Sequence, residues 1–274
     1  MPELPEVENV ARALRDNLTG VRLTGLQVSF AGILGQSVRK TRSALVGKVL
    51  TDVHRHGKYM ILWFEGDDGT MEYLMVHLRM TGQFFILDDF VPDKHVHLIF
   101  EFDGLDVHYR DLRKFSRLDL VEDGVAPAAL AHVGPDMMKV RFAEWHKRIR
   151  SRKAPIKSLL LNQGIAAGLG NIYVDESLFL AGVHPETRPC DLDSDTLRDV
   201  LKRGKDVMRL AINHGGTTFM NFKNFYGKPG NFRRRLRVYG RGGQPCRDCG
   251  SVLEKTVVGG RGTVFCPECQ ALST

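Results

Sequence analysis

The sequence predicts an α+β protein of more than one domain, and three observations carry that expectation. After an opening helix, the chain up to about residue 130 is a succession of short β-branched and aromatic runs cut by Gly and Asp. From about 141 to 214 helical periods take over, and from about 235 Gly-rich turns and four cysteines follow. With 274 residues, 43% of them hydrophobic, the chain can bury a substantial core without disulfide staples.

In "MPELPEVENVARALRDNL", Val7, Val10, Ala11, Leu14 and Leu18 recur at helical spacing, predicting a helix that starts near Pro5 and stops before Gly20. Glu3 and Glu6 fall in its first turn, where acidic groups complement the helix dipole. The runs "VRLTGLQVSF", "YMILWFEG", "MEYLMVHLRM", "GQFFILDD", "HVHLIFEFDG" and "LDVHYRDL" predict hairpins closing into a sandwich or barrel. "VEDGVAPAALAHVGPDM" breaks that pattern and places a boundary near 130 to 140. Helices are then predicted in "RFAEWHKRIRS", "APIKSLLLNQ", "NIYVDESLFLAG" and "DSDTLRDVLKRGKDVMRLAINHGG", with "QGIAAGLGN" as a loop between the second and third.

The net charge is +7, from 39 Lys and Arg against 32 Asp and Glu. Placement says more than the total. Lys139, Arg141, Lys147, Arg148, Arg150, Arg152, Lys153 and Lys157 make one stripe; Arg233, Arg234, Arg235, Arg237 and Arg241 make another. Charge alone admits two readings, a solvated face or a surface for a phosphate backbone. No run approaches the roughly 18 apolar residues that cross a bilayer, and the acidic start lacks the pattern of an export signal. The chain is expected to be soluble, cytoplasmic and free of membrane partners.

Cys246, Cys249, Cys266 and Cys269 form two CxxC pairs separated by 16 residues. Such turns converge thiolates tetrahedrally on one Zn²⁺, and four ligands leave no open position, so the metal is expected to be structural. Two disulfides or a redox pair are the alternatives, disfavoured by a cytoplasmic setting and the absence of a βαβ context. Cys190 has no partner motif. Between the pairs, a Gly-rich tip presents Arg261, either as a phosphate clamp or as an ordinary exposed turn residue.

Chain position adds chemistry to the N-terminus. Met followed by Pro is normally trimmed, which would leave Pro2 with a free secondary amine. An α-amino group has a pKa of about 7.7 to 8.0, so an appreciable fraction is neutral near pH 7. A neutral amine can attack an aldehyde-like carbon and form an iminium. A neighbouring carboxylic acid, here Glu3, could protonate and open a sugar ring.

"PELPEVE", "HGKYM", "HLRMTG", "YRDLRKF", "GLGNIYVDESLF", "GGTT", "GKPGNF", "VYGR" and the four-cysteine tail occur in this order from end to end. Together they resemble the bacterial formamidopyrimidine-DNA glycosylase family. That resemblance implies a catalytic β-sandwich at 2–133, a helix-two-turn-helix domain with a lesion-capping loop at 134–234, and a zinc finger at 235–274. It implies a monomer that binds damaged double-stranded DNA and removes oxidised purines, then cuts the strand by β- and δ-elimination. Pro2 would be the nucleophile, Glu3 the acid, Glu6 a supporting group and Lys58 a phosphate contact. Met80, Arg113 and Phe115 would fill the gap left by the extruded base, while Asn171 and Arg261 would hold the backbone. Read from the residues alone, Met80 and Phe115, each beside a strand-like run, are expected to be core side chains, and Asn171 a helix cap.

Some positions depart from the family pattern: Ser116 stands where glycine usually follows the wedge phenylalanine, and Met220, Asn221, Phe225 and Tyr226 alter the capping loop. Two alternatives therefore remain. One is a preference for oxidised pyrimidines, as in the related endonuclease VIII branch, which "PELPE" disfavours. The other is a zinc-dependent DNA-binding protein without catalysis, which intact Pro2, Glu3, Glu6 and Lys58 disfavour.

Overall fold

The computed structural model describes residues 1–86, 93–218 and 225–272, so Met220 and Asn221 lie outside the described residues. The chain forms two compact units, Met1–His132 with His214–Asn231, and Val133–Asn213 with Phe232–Thr274.

The first unit opens with helix α1 (Leu4–Leu18), whose Val7, Val10, Ala11, Leu14 and Leu18 form one buried stripe. Then come strand β1 (Leu23–Val28), helix α2 (Val38–Leu45), and strands β2 (Val49–His56), β3 (Tyr59–Glu65), β4 (Met71–His77), β5 (Gly82–Phe85), β6 (Val96–Phe102), β7 (Leu105–Asp111) and β8 (Arg117–Val121). The strands make two antiparallel four-stranded sheets, β1-β6-β7-β5 and β2-β3-β4-β8. Alternation fills the space between them: Leu98, Phe100 and Phe102 from one sheet share a core with Leu50, Leu62, Phe64 and Leu74 from the other. The stripe of α1 and Phe225 join the same core. The expected sandwich is thus present, closed along one side by the opening helix.

Helix α2 lies in a stretch with no helical expectation. Ser37 caps it by accepting from Lys40 N at 3.2 Å, and only Thr41 and Leu45 are buried. Two inward residues in eight give too short a period to stand out in a sequence.

In the second unit, helices α3 (Phe142–Ile149), α4 (Ile156–Leu161), α5 (Asn171–Leu180) and α6 (Ser194–Asn213) precede the hairpin β9 (Glu254–Val258) and β10 (Arg261–Phe265). Helix α5 is buried on every side from Ile172 to Phe179, which explains its lack of an apolar stripe. Helix α6 is amphipathic and turns Leu197, Val200, Leu201, Val207 and Met208 inward. Gly259 and Gly260, at φ +57° and +73°, make the hairpin turn, since a two-residue turn with both central residues left-handed suits paired glycines. Arg261 accordingly opens β10, paired with Val258, rather than standing on the tip itself.

Candidate functional site

The N-terminal residues are held by one carboxylate. Pro2 and Glu3 are buried, and Glu6 is only 1% exposed. Glu6 Oε2 accepts from Glu3 N at 2.8 Å, the reach-back of a capping box, while Glu6 Oε1 accepts from Thr217 N at 2.7 Å. One side chain thus braces the first helical turn against the "GGTT" segment. Gly216 makes this possible: at φ +81°, a Cβ there would lie 2.9 Å from Glu6 Oε1.

Glu8, on the next turn, accepts from Arg55 Nε at 2.6 Å and Arg12 Nε at 2.8 Å. Burial would raise its pKa, but the two guanidinium groups outweigh burial and hold it below the usual carboxylate range. The Arg55 pair ties α1 to β2 just before the turn that carries Lys58. Lys58 is buried at 6% exposure, and Gly57, at φ +57°, turns the chain immediately before it.

His77 belongs to the same neighbourhood and was not singled out from sequence, although "HLRMTG" contains it. Burial, then the positive charges of Arg79 and Lys58, push its pKa down to about 4. Its Nδ1 accepts from Arg79 N at 2.9 Å. The neutral ring therefore carries its proton on Nε2, as a donor.

Met80, Arg113 and Phe115 come together. Arg113 Nη1 lies 2.8 Å from Met80 Sδ, and its guanidinium carbon sits 4.6 Å from the centre of the Phe115 ring. Met80 is 41% exposed and Phe115 51%, so neither is the core residue that its strand-like surroundings predict. The exposed guanidinium thus touches both the exposed thioether and the exposed phenyl ring, gathering the three side chains into one cluster. Two left-handed non-glycine residues, Arg79 at φ +50° and Lys114 at +58°, shape the loops that carry it.

In the second unit, Asn171 Nδ2 donates to Gly262 O at 2.8 Å, which sets Asn171 beside the start of β10 and hence beside Arg261. Lys157 Nζ donates to the same carbonyl at 3.0 Å, to Asp175 Oδ1 at 2.6 Å and to Thr263 Oγ1 at 2.7 Å. Three protons meet three acceptors, so Lys157, counted above in a basic stripe, is a structural cation with no exposure. Asp175 Oδ2 accepts from Val264 N at 3.1 Å, and Glu176 accepts from the backbone of Arg237, Val238 and Tyr239 at 2.8 to 2.9 Å. Two adjacent acidic residues of α5 therefore hold the segment leading into the cysteine unit and its strand β10. Arg233, Arg234, Arg235 and Arg261 remain exposed.

The donor atoms of Cys246, Cys249, Cys266 and Cys269 all lie within 4.8 Å of one another. Tetrahedral ZnS₄ needs sulfurs about 3.8 Å apart, from Zn–S near 2.3 Å; the Cys246–Cys269 and Cys249–Cys266 separations are 4.0 and 3.4 Å. Asp248 N and Cys269 N each donate to a cysteine sulfur at 3.4 Å, which offsets thiolate charge. The set fits one structural Zn²⁺. Gln270 secures it from outside by accepting from Cys266 N at 3.0 Å and donating to Val183 O at 2.9 Å. Cys190 is exposed and apart. No helix among the described residues is long and apolar enough to cross a membrane.

Comparison with known proteins gives the same three-part order. The formamidopyrimidine-DNA glycosylase N-terminal domain matches residues 1–118, the H2TH domain of that protein 133–223, and the zinc finger found in FPG and IleRS 243–272. The chain is 42% identical over 279 residues to the formamidopyrimidine-DNA glycosylase of Latilactobacillus sakei subsp. sakei, covering 98% of each. It is 40% identical over 281 residues to that of Exiguobacterium sibiricum, covering 100% of each. Among solved structures, a complex between the Lactococcus lactis Fpg and an abasic-site DNA superposes with a TM-score of 0.88 at 31% identity, over 99% of this chain and 100% of that one. Matching family domains in sequence order and relatives alike over their whole length make this chain a member of the formamidopyrimidine-DNA glycosylase family.

Proposed function

We propose that the protein is a bifunctional DNA glycosylase and abasic-site lyase of base-excision repair, acting on oxidised purines in double-stranded DNA. The observation that supports it best is the braced N-terminus: Pro2 and Glu3 are buried while Glu6 holds the backbone on either side. Such bracing fixes a nucleophile and its acid in one geometry before substrate arrives. Once Met1 is removed, the neutral Pro2 amine attacks C1′ of the damaged nucleotide. The N-glycosidic bond breaks and its electron pair leaves with the base. Glu3 delivers a proton to the ring oxygen, the sugar opens, and a C1′ iminium forms. Loss of a C2′ proton then expels the 3′ phosphate, and a second elimination expels the 5′ phosphate.

We assign catalysis to 2–133, duplex binding to 134–234 and a backbone clamp to the zinc finger at 235–274. Lys58, Asn171 and Arg261 contact phosphates, and Met80, Arg113 and Phe115 occupy the gap left by the extruded base. The setting is the cytoplasm, at the nucleoid. Lactococcus lactis Fpg has been crystallised with N7-benzyl-Fapy-dG DNA and also with DNA containing an oxidised pyrimidine, so both base classes belong in the test.

That test is borohydride trapping on duplexes carrying 8-oxoguanine, an oxidised pyrimidine or an abasic site. A covalent adduct is expected with all wild-type protein that lacks Met1, and Pro2→Gly should severely reduce it. No adduct even on the abasic duplex would favour a DNA-binding protein without catalysis; faster release of the pyrimidine would reassign the substrate.

A further inference from the structure

The loops that carry the wedge converge on a single carboxylate. Strand β7 ends at Asp111, and the segment from Leu112 to Ser116 bears Arg113 and Phe115; Thr81 follows Met80 on the other loop. Asp111 has no exposure. Its Oδ1 accepts from Thr81 Oγ1 and from Arg113 N at 3.1 Å, and its Oδ2 accepts from Ser116 N at 2.9 Å and from Ser116 Oγ. Arg113 N also lies 3.1 Å from Thr81 Oγ1. The Asp111 carbonyl is held in turn by His97 Nε2 at 2.8 Å.

Four donors on one carboxylate need an explanation, because a buried charge is costly unless it is fully satisfied. Burial raises the Asp111 pKa, but hydrogen bonds from Ser116, Thr81 and Arg113 outweigh it, so the group stays ionised. The loop it holds is strained: Lys114 adopts φ +58° without being glycine, a conformation that persists only when its surroundings over-determine it. Hydrogen bonds to Arg113 N and Ser116 N clamp the chain on both sides of that residue. A residue without a hydroxyl at 116 would supply the N–H alone, so Ser116 adds a second, charge-assisted bond.

We propose that Asp111 and Ser116 are positioning residues that lock Met80, Arg113 and Phe115 into one preorganised wedge before DNA binds, with Thr81 joining the second loop to the same lock. The proposal rests on the reading that the wedge fills the vacated stack. Locking removes the ordering cost that would otherwise fall at the moment of base extrusion.

The experiment measures wedge insertion by fluorescence of 2-aminopurine placed beside the lesion in a duplex, for Ser116→Ala, Ser116→Gly and Thr81→Val. Thermal melts establish that each variant is folded. Insertion and lesion-base release should slow by roughly ten- to a hundredfold in each, the loss of about one hydrogen bond to a charged group. Borohydride trapping on a single-stranded abasic oligonucleotide, which has no stack to open, should be unchanged. Wild-type insertion rates in all folded variants would overturn the lock, as would an equal slowing on the single strand, the mark of general damage. If wild-type protein traps no abasic substrate at all, the glycosylase reading falls and the lock falls with it.

Discussion

Gly216 shows how narrowly a single position can be fixed. Both its φ of +81° and the 2.9 Å approach of Glu6 Oε1 exclude a side chain, so Gly216→Ala should cost about 1 to 3 kcal/mol of stability and loosen the N-terminus, checked by chemical denaturation and by trapping rate. His77 sets a pH dependence of known sign. Its folded pKa, about 4, lies below the unfolded value of about 6.5, so the unfolded chain binds more protons between these values. That contribution is complete above about pH 6.5 and declines as pH falls towards 4. Melting temperature should therefore drop less steeply across this window in His77→Gln than in the parent. The sequence made Pro2, Glu3 and Glu6 visible through chain position and charge. It could not show that Glu6 reaches Thr217, because contacts 211 residues apart leave no local pattern. Asp111 stayed hidden for a related reason: its partners are two backbone amides and two hydroxyls, groups that almost any sequence supplies.

Elements were legible in proportion to their periodicity. Six of the eight strands of the first unit showed as β-branched and aromatic runs, and α1 and α6 each carry a long stripe, so these were plain; β2 and β8, whose charged and histidine residues interrupt the apolar run, were not. Helix α2 was not, for want of repeats. Helix α5 was recognisable as a helix, yet its central task was not, since Asp175 and Glu176 look like solvated charges in a string. Both are almost fully buried and hold the cysteine unit. Breaking a buried pair strands a charge, so Lys157→Met should destabilise the second unit by about 3 to 5 kcal/mol. Joint replacement of Lys157 and Asp175 by apolar residues should cost much less than Lys157→Met alone, measured as a double-mutant cycle in urea.

At the scale of the molecule, the two units have separate cores, one between the sheets and α1, the other among the helices and the cysteine hairpin. Metal removal should act on one of them. Because zinc binding supplies folding free energy, a chelator should lower the melting transition of the second unit and leave the first in place, seen as one shifted and one constant calorimetric peak. Duplex affinity should fall with the shifted peak. The charge of +7 accords with a polyanionic partner, and exposed cations cluster along the chain from Lys139 to Lys153 and again from Arg233 to Arg235, with Arg261 exposed as well.

The brace between Glu6 and Thr217 also has a consequence in time. A ribosome adding about 5 to 20 residues per second makes residue 217 roughly 10 to 40 seconds after residue 6. Through that interval the first residues have emerged without the segment that Glu6 braces, and this is when the proposed loss of Met1 would occur. On that reading the amine would be unmasked before the brace forms, and the last quarter of the chain would fasten a terminus already chemically finished.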